Sequence, residues 1–279
     1  MFRSGEITPK CAFTQLADLA LFVSFVVYQR VFVSNAIVII PTYNEKENIG
    51  LIIDAVFGLP KDFDVLIVDD NSPDGTAEIV KKLQSNFNQS EKRLHLMERK
   101  GKLGLGTAYI SGFKYALEKG YEYMLEMDAD FSHNPNDLVN LYLACSEGGN
   151  DMAVGSRYVT GVNVVNWPIG RVLLSYFASA YVRLVTRMPI RDATAGFVCY
   201  TKEVLNTIPL DKVKFTGYGF QIEMKFLVWK YGFKFTEIPI IFTERIRGQS
   251  KLSAGIFKEA FFGVMQLTIG SWFKTYKRN

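Results

Sequence analysis

The sequence predicts an α/β protein built on a mostly parallel sheet with helices on both faces. Two observations carry that expectation. From Ala36 onward, apolar runs of strand length alternate with helical stretches, the pattern of successive strand–helix–strand units. The turns after the first, second and fourth of these strands all carry acids, at the strand ends where an open α/β sheet binds its ligands. The 279 residues, 48% hydrophobic and 22% charged, suffice for a substantial core, as one large domain or one domain with an appendage.

Taken in order, residues 1–34 read as an extension outside the fold, flexible or membrane-lying. The run Leu19–Val27 lies between Asp18 and Arg30 and is shorter than the ~20 apolar residues of a membrane span. Arg3 and Lys10 ahead of it give some signal-peptide character, yet cleavage near Ser34 would cut into the first strand. A membrane-lying helix or an over-called translation start fits better. Strands are then expected at Ala36–Ile40, Val65–Val68, Leu94–Met97, Tyr123–Met127 and Met152–Val154, with helices at Glu45–Phe57, Thr76–Phe87, Gly106–Lys119 and Asn136–Cys145. After Arg157 the alternation loosens into a helix near Ile169–Val185, strands near Phe197–Tyr200 and Phe235–Phe242, and a last helix, Ala254–Tyr276. The domain proper is placed at 35–252 and an amphipathic helix at 253–279.

Composition excludes several classes. Cys11, Cys145 and Cys199 are odd in number and far apart, with no CxxC. That argues against a disulfide framework or zinc knuckle and fits a reducing compartment. Only His95 and His133 are present, which excludes a histidine-rich metal site. The net charge of +4 is mild and gives no reason to expect nucleic acid, although the basic end Lys274, Lys277, Arg278 suggests an anionic surface nearby. A dinucleotide-binding G-x-G-x-x-G would follow the first strand. Pro41-Thr-Tyr-Asn-Glu45 stands there, and Gly101, Gly104 and Gly106 come late with the wrong spacing. No P-loop is present.

The chemistry is expected at Asp128 and Asp130, which follow the apolar run 123–127. Two carboxylates one residue apart can hold Mg²⁺ or Mn²⁺ together with substrate phosphates; alternatively they cap the helix beginning near Pro135. Asp69-Asp70-Asn-Ser-Pro-Asp-Gly75 is good turn chemistry, and a turn can also position Asp70. Three acidic strand ends on one sheet edge favour a ligand whose diphosphate needs a metal.

Pro41-Thr-Tyr-Asn-Glu45, Val68-Asp-Asp-Asn-Ser-Pro-Asp-Gly75, Gly104-Leu-Gly-Thr-Ala108 and Asp128-Ala-Asp130 resemble the family 2 glycosyltransferases of the GT-A (Rossmann-like) fold. Met127-Asp-Ala-Asp-Phe-Ser-His133, Gly155-Ser-Arg-Tyr158 and Arg245-Ile-Arg-Gly-Gln-Ser-Lys251 resemble the polyprenyl (dolichyl) phosphate mannosyltransferase branch. The resemblance covers roughly residues 36–255, with its motifs in order. It implies a nucleotide-sugar donor, GDP-mannose in most members, and a polyprenyl phosphate acceptor. Pro41, Tyr43, Glu45, Val68 and Asp70 would hold the nucleoside, with Ala129 beside it. Asp128 and Asp130 would hold metal and diphosphate, and Arg245 and Lys251 would close over the phosphates. Ser132 stands where some members have Gln, so no metal contact is assigned to it.

On the acceptor side, arginine binds phosphate through two parallel hydrogen bonds and stays charged. Arg171, Ser175, Ser179 and Arg183 recur every four residues and form one polar stripe on an otherwise apolar helix. From the residues alone this is a buried helix with a solvated edge. The resemblance instead implies that Arg157, Arg171 and Ser175 grip the acceptor phosphate. The last helix, with Phe261, Phe262, Met265, Ile269, Trp272 and Phe273, lies on a membrane or packs on the domain. The implied reaction is an inverting displacement by a phosphate oxygen already anionic, so no general base is needed. The expected setting is cytoplasmic, peripheral on the inner face of the membrane. The rivals are a related transferase using UDP-glucose or another donor or acceptor, and a non-catalytic nucleotide-sugar-binding subunit. Retention of both Asp128 and Asp130 argues against the latter. The Q-x-x-R-W of sugar-polymerising relatives is missing at Gln266.

Overall fold

A computed structural model describes residues 34–217, 219–245 and 254–278, with side chains of 254–260 excepted. The expectations for residues 1–33 and for Lys251 lie outside the described residues. Nine strands are found among the described residues: β1 Ala36–Thr42, β2 Asp64–Asp69, β3 Leu94–Glu98, β4 Tyr123–Glu126, β5 Met152–Ser156, β6 Val164–Val165, β7 Val198–Thr201, β8 Phe235–Pro239 and β9 Phe242–Thr243. The helices are α1 Ile49–Phe57, α2 Thr76–Phe87, α3 Leu105–Lys119, α4 Asp137–Ser146, α5 Ile169–Thr186, α6 Lys202–Thr207, α7 Gly219–Lys230 and α8 Ala254–Trp272.

Seven strands form one sheet in the order β3-β2-β1-β4-β7-β5-β8, parallel except for β7, which runs antiparallel to β4 and β5. Side chains alternate across a strand, and the sequence uses both sides. Ile37, Ile39, Leu66 and Val68 enter one core with Tyr109 and Phe113 of α3 and Phe220 and Phe226 of α7. Val38, Ile40, Val65 and Ile67 enter the other with Ile49, Ile52 and Ile53 of α1 and Leu138 and Leu141 of α4. Burial on both faces is why these strands read as continuous apolar runs. At Gly112 a Cβ would lie 2.6 Å from Ile39 Cγ2, so glycine lets α3 lie close on β1.

Several details differ from the sequence expectation: the last helix ends at Trp272 and not Tyr276, and α6 and β6 were not anticipated. Glu45–Asn48 form a turn and α1 begins at Ile49; Asn44 takes φ 58°, which ends β1 and breaks the helical path. The strand expected at 235–242 is two: β8 ends at Pro239, and β9 leaves the main sheet to pair with β6. Helix α7 was not anticipated. Every residue from Gly219 to Val228 is buried, so no polar face marks its period.

Candidate functional site

The carboxyl ends of β1, β2 and β4 bring the expected acids to one edge. Pro41 pairs with Val68 in register, and Asp70 N–H donates to the Thr42 carbonyl at 3.0 Å. Asp69 is committed to the turn, accepting from Thr42 Oγ1, Ser72 Oγ and Ser72 N–H at 2.6–2.8 Å. Asp70 lies 2.8 Å from Arg99 Nε and accepts from Leu103 N–H at 3.3 Å. Burial pushes its carboxyl above the usual range, and Arg99 pulls it only partly back. Glu45 is buried and accepts from Asn48 Nδ2 at 3.1 Å. Lys102 Nζ sits 4.8 Å from the ring centroid of Tyr43. Val68 and Ala129 are buried in opposite cores, so Val68 offers this edge its backbone and not its side chain. Neither Arg99 nor Lys102 was singled out in the sequence; both follow β3, the strand end without an acidic motif.

Beyond β4 the chain makes a tight excursion. Asp128 is half-buried and Asp130 buried. Ser132 N–H donates to Asp130 Oδ1 at 3.0 Å, and Arg245 Nη2 lies 2.9 Å from Asp130 Oδ2. Phe131 between them takes φ 59°, a left-handed conformation that costs a bulky residue energy and tends to mark functional turns. Thr243 N–H donates to the Ser132 carbonyl at 3.2 Å. The strap 242–245 therefore crosses the motif and delivers two neighbouring charges to different places: Arg245 to Asp130, and Glu244 to Arg171. Arg171 also stacks over Trp167, 4.2 Å from the ring centroid.

Arg157 lies at the end of this row and is almost wholly buried. Its Nε and Nη2 donate to the two oxygens of Asp192 at 2.7 and 2.6 Å, its backbone N–H to Asp192 Oδ2 at 2.9 Å, and Nη2 to Thr194 Oγ1 at 2.8 Å. Although burial pushes Asp192 up, the Arg157 charge and hydrogen bonds together hold it below the usual carboxylate range. His133 is stacked on Phe197 with ring centroids 4.7 Å apart, and burial lowers its pKa to about 4, so it is neutral at physiological pH. Asp192, Thr194, Trp167 and Glu244 carried no motif in the sequence; each is recognisable only by the arginine it meets.

Asp128, Asp130, Arg157, Arg171 and Arg245 open onto one cavity of about 480 Å³, within the size range of small-molecule sites. Asp128, Asp130 and Arg245 line one part, Arg157, Arg171 and Ser175 another. The remainder is apolar, walled by Leu174, Phe177, Tyr181 and Val182 of α5 and by Phe261 of α8. Helix α5 is inverted relative to a buried helix with a solvated edge. Ser179 is buried against Thr194, Arg171 and Ser175 face the cavity, and only Arg183 of the polar stripe is exposed. The apolar residues Ile169, Leu173, Leu174, Tyr176, Phe177 and Leu184 are the exposed ones. Helix α8 packs on the domain through Gly263, Val264 and Ser271 and exposes Phe261, Phe262, Met265, Ile269 and Trp272. Of the two roles the sequence left open, packing on the domain is the one observed, with an apolar face left exposed.

Residues 37–208 match the family description Glycosyl transferase family 2. The chain belongs to glycosyltransferase family 2. It is 44% identical over 230 residues to the polyprenol monophosphomannose synthase of Mycolicibacterium smegmatis, covering 82% of this chain and 85% of the relative. It is 41% identical over 226 residues to the undecaprenyl-phosphate mannosyltransferase of Micrococcus luteus, covering 81% and 90%. These relatives agree with the branch that the sequence motifs resemble. Among solved structures, glucosyl-3-phosphoglycerate synthase from Mycobacterium tuberculosis, in complex with Mn²⁺, UDP and glucosyl-3-phosphoglycerate, superposes with a TM-score of 0.60 at 14% identity. It covers 84% of this chain and 78% of that one, a likeness of fold alone.

Among the described residues no three His, Cys, Asp or Glu side chains form a metal cluster. Asp128 and Asp130 nevertheless suit a hard divalent ion that takes its other ligands from a diphosphate and water. Mg²⁺ is commonly bound by one or two carboxylates in that way.

Proposed function

We propose that this family 2 enzyme transfers mannose from GDP-mannose to the phosphate of a polyprenol, with inversion at the anomeric carbon. The observation that carries the reading is the single cavity that runs from Asp128, Asp130 and Arg245, past Arg157, Arg171 and Ser175, to the apolar walls of α5 and α8. An acceptor with an anionic head and a hydrocarbon tail matches that sequence of surfaces. The names of the two relatives, a polyprenol monophosphomannose synthase and an undecaprenyl-phosphate mannosyltransferase, support the same sugar and the same kind of acceptor.

In this reading the edge at Pro41, Tyr43, Glu45, Val68, Asp70 and Ala129 takes the nucleoside, Asp70 using its carboxylate and Val68 its backbone. Asp128 and Asp130 would hold Mg²⁺ or Mn²⁺ with the diphosphate, and when bound the ion supplies Lewis-acid stabilisation of the leaving group. Arg245, poised on Asp130, and Lys251 add positive charge as the diphosphate departs. Arg157 and Arg171 orient the acceptor phosphate, with Ser175 donating or accepting beside them. A phosphate monoester is already an anionic nucleophile, which explains why the cavity needs no side-chain base; His133 stays neutral and serves packing.

No helix among the described residues is long and apolar enough to cross a membrane. The apolar faces exposed on α5 and α8 instead suit an enzyme lying on the inner, cytoplasmic face of a bilayer, from which the tail slides into the cavity. Assaying a panel of nucleotide sugars against a short polyprenyl phosphate, with and without a chelator, tests the reading. Transfer from GDP-mannose that stops on chelation is expected. Transfer from UDP-glucose alone would reassign the donor, and a water-soluble saccharide preferred over the lipid would overturn the acceptor.

A further inference from the structure

Behind the cavity lies a buried polar chain for which the reaction as proposed has no use. Glu126, the last residue of β4 and two positions before Asp128, is fully buried. Gln221 of α7 donates from Nε2 to Glu126 Oε2 at 2.8 Å. One turn further, Lys225, also fully buried, donates from Nζ to the Ala195 carbonyl at 2.5 Å. It also reaches the Gln221 carbonyl at 3.2 Å and Gln221 Oε1 at 3.3 Å. Ala195 belongs to the segment 192–196, which supplies Asp192 and Thr194 to Arg157 and lines the cavity with Thr194, Ala195 and Gly196.

A buried lysine is an expensive way to fill a core, because desolvation of the charge commonly exceeds what its partners return. Burial disfavours the charged form of both Glu126 and Lys225, and the charge of each only partly offsets this for the other. An apolar side chain on α7 would occupy the same volume at no such cost. It would leave the Ala195 carbonyl unbonded inside the protein, and it would remove the positive charge that faces Asp192.

We propose that Lys225 is a positioning residue for the acceptor-phosphate site. By holding the Ala195 carbonyl it fixes the 192–196 segment, so that Asp192 and Thr194 present the guanidinium of Arg157 to the phosphate. Its anchor runs through Gln221 of α7 to Glu126, the last residue of the strand that leads into Asp128, so the segment is held in register with the donor edge. The inference rests on the acceptor reading given above.

The test uses the double variant Glu126→Gln/Lys225→Met beside Lys225→Met and Glu126→Gln/Lys225→Gln. The single variant leaves Glu126 buried without the cation that faces it, whereas the doubles remove both ionisable groups and keep the fold. In the Met double variant, the KM for a short polyprenyl phosphate is expected to rise about tenfold, the scale of one lost hydrogen bond. GDP affinity by calorimetry stays at the wild-type value. The Gln double variant, which retains a donor for Ala195, recovers part of the loss. An unchanged acceptor KM in a Met double variant that melts like the wild type would overturn the proposal, as would a loss confined to GDP binding. Failure of the acceptor reading would show differently, as a wild-type enzyme that does not use the polyprenyl phosphate at all.

Discussion

Arg157→Ala is expected to act on stability before it acts on catalysis. The Asp192 carboxylate is fully buried and receives three hydrogen bonds from Arg157, all between 2.6 and 2.9 Å. The variant keeps the backbone bond but loses both guanidinium bonds and the countercharge. Breaking a buried ion pair from one side costs roughly 3–5 kcal/mol. For a domain of this size about 1 kcal/mol moves the melting temperature by about 2–4 °C, so a drop of roughly 6–20 °C is expected. The pH dependence gives the sign. In the wild type Asp192 is held below 3.8, so its stabilisation is present above that value and is lost as the pH falls through the native pKa. Without Arg157, burial outweighs the remaining Lys225 charge and raises the carboxyl, and the native state then loses stability as the pH rises through the new pKa. The deficit relative to wild type is therefore larger at neutral pH than near pH 4. Thermal denaturation across that interval measures it, and Arg157→Met/Asp192→Leu recovers most of the loss. A melting temperature within about 2 °C of wild type at neutral pH, or a deficit equal at both ends, would refute the reasoning.

Arg171→Ala is the cleaner acceptor probe, because its partner Glu244 is about one-third exposed and tolerates the loss. Acceptor affinity should fall roughly ten- to a hundredfold with GDP binding unchanged, the cost of charge-assisted bonds to phosphate. Arg171→Lys should recover only part, and impaired GDP binding with a normal acceptor constant would contradict it. Asp130→Ala removes one of the two carboxylates proposed to hold the metal and the partner of Arg245; metal-stimulated transfer should disappear, and its survival in a metal titration would exclude the site. His95 and His133 both have pKa values lowered by burial from 6.5 to about 4. Protons are therefore taken up by the unfolded chain first as the pH falls below 6.5. Stability should decline toward pH 4 by up to about 1.4 kcal/mol per pH unit for each histidine. Chemical denaturation of His95→Gln and His133→Gln should show shallower slopes; unchanged slopes in both would rule this out.

Much of this site is legible in the chain because its chemistry is local. Asp128 and Asp130 follow their strand directly, Asp70 follows another, and a turn between strand and helix keeps each at the sheet edge whatever packs around it. Glu126 escaped notice because it is a single acid inside an apolar run, and only its pairing with Gln221 across 95 residues gives it a place. Arg157 could be named as a cation for phosphate, but its hold on Asp192, 35 residues on, is a tertiary contact with no sequence signature.

The sequence by itself determined the alternating strands and helices, the two-sided burial of the sheet and the acidic edge. Hydrophobic period and turn residues act over a few positions, and these features need nothing more. Tertiary structure alone decided which way α5 faces. Its polar stripe and apolar faces are equally visible in the sequence, but a periodicity states only that a helix has two sides. Segment 192–196 and the strap 242–245 turned Ser179 and Arg171 inward by placing Thr194 near Ser179 and Glu244 on Arg171. Only that choice leaves Leu173, Phe177 and Leu184 on the outside, because an arginine without its partner carboxylate would have faced water instead.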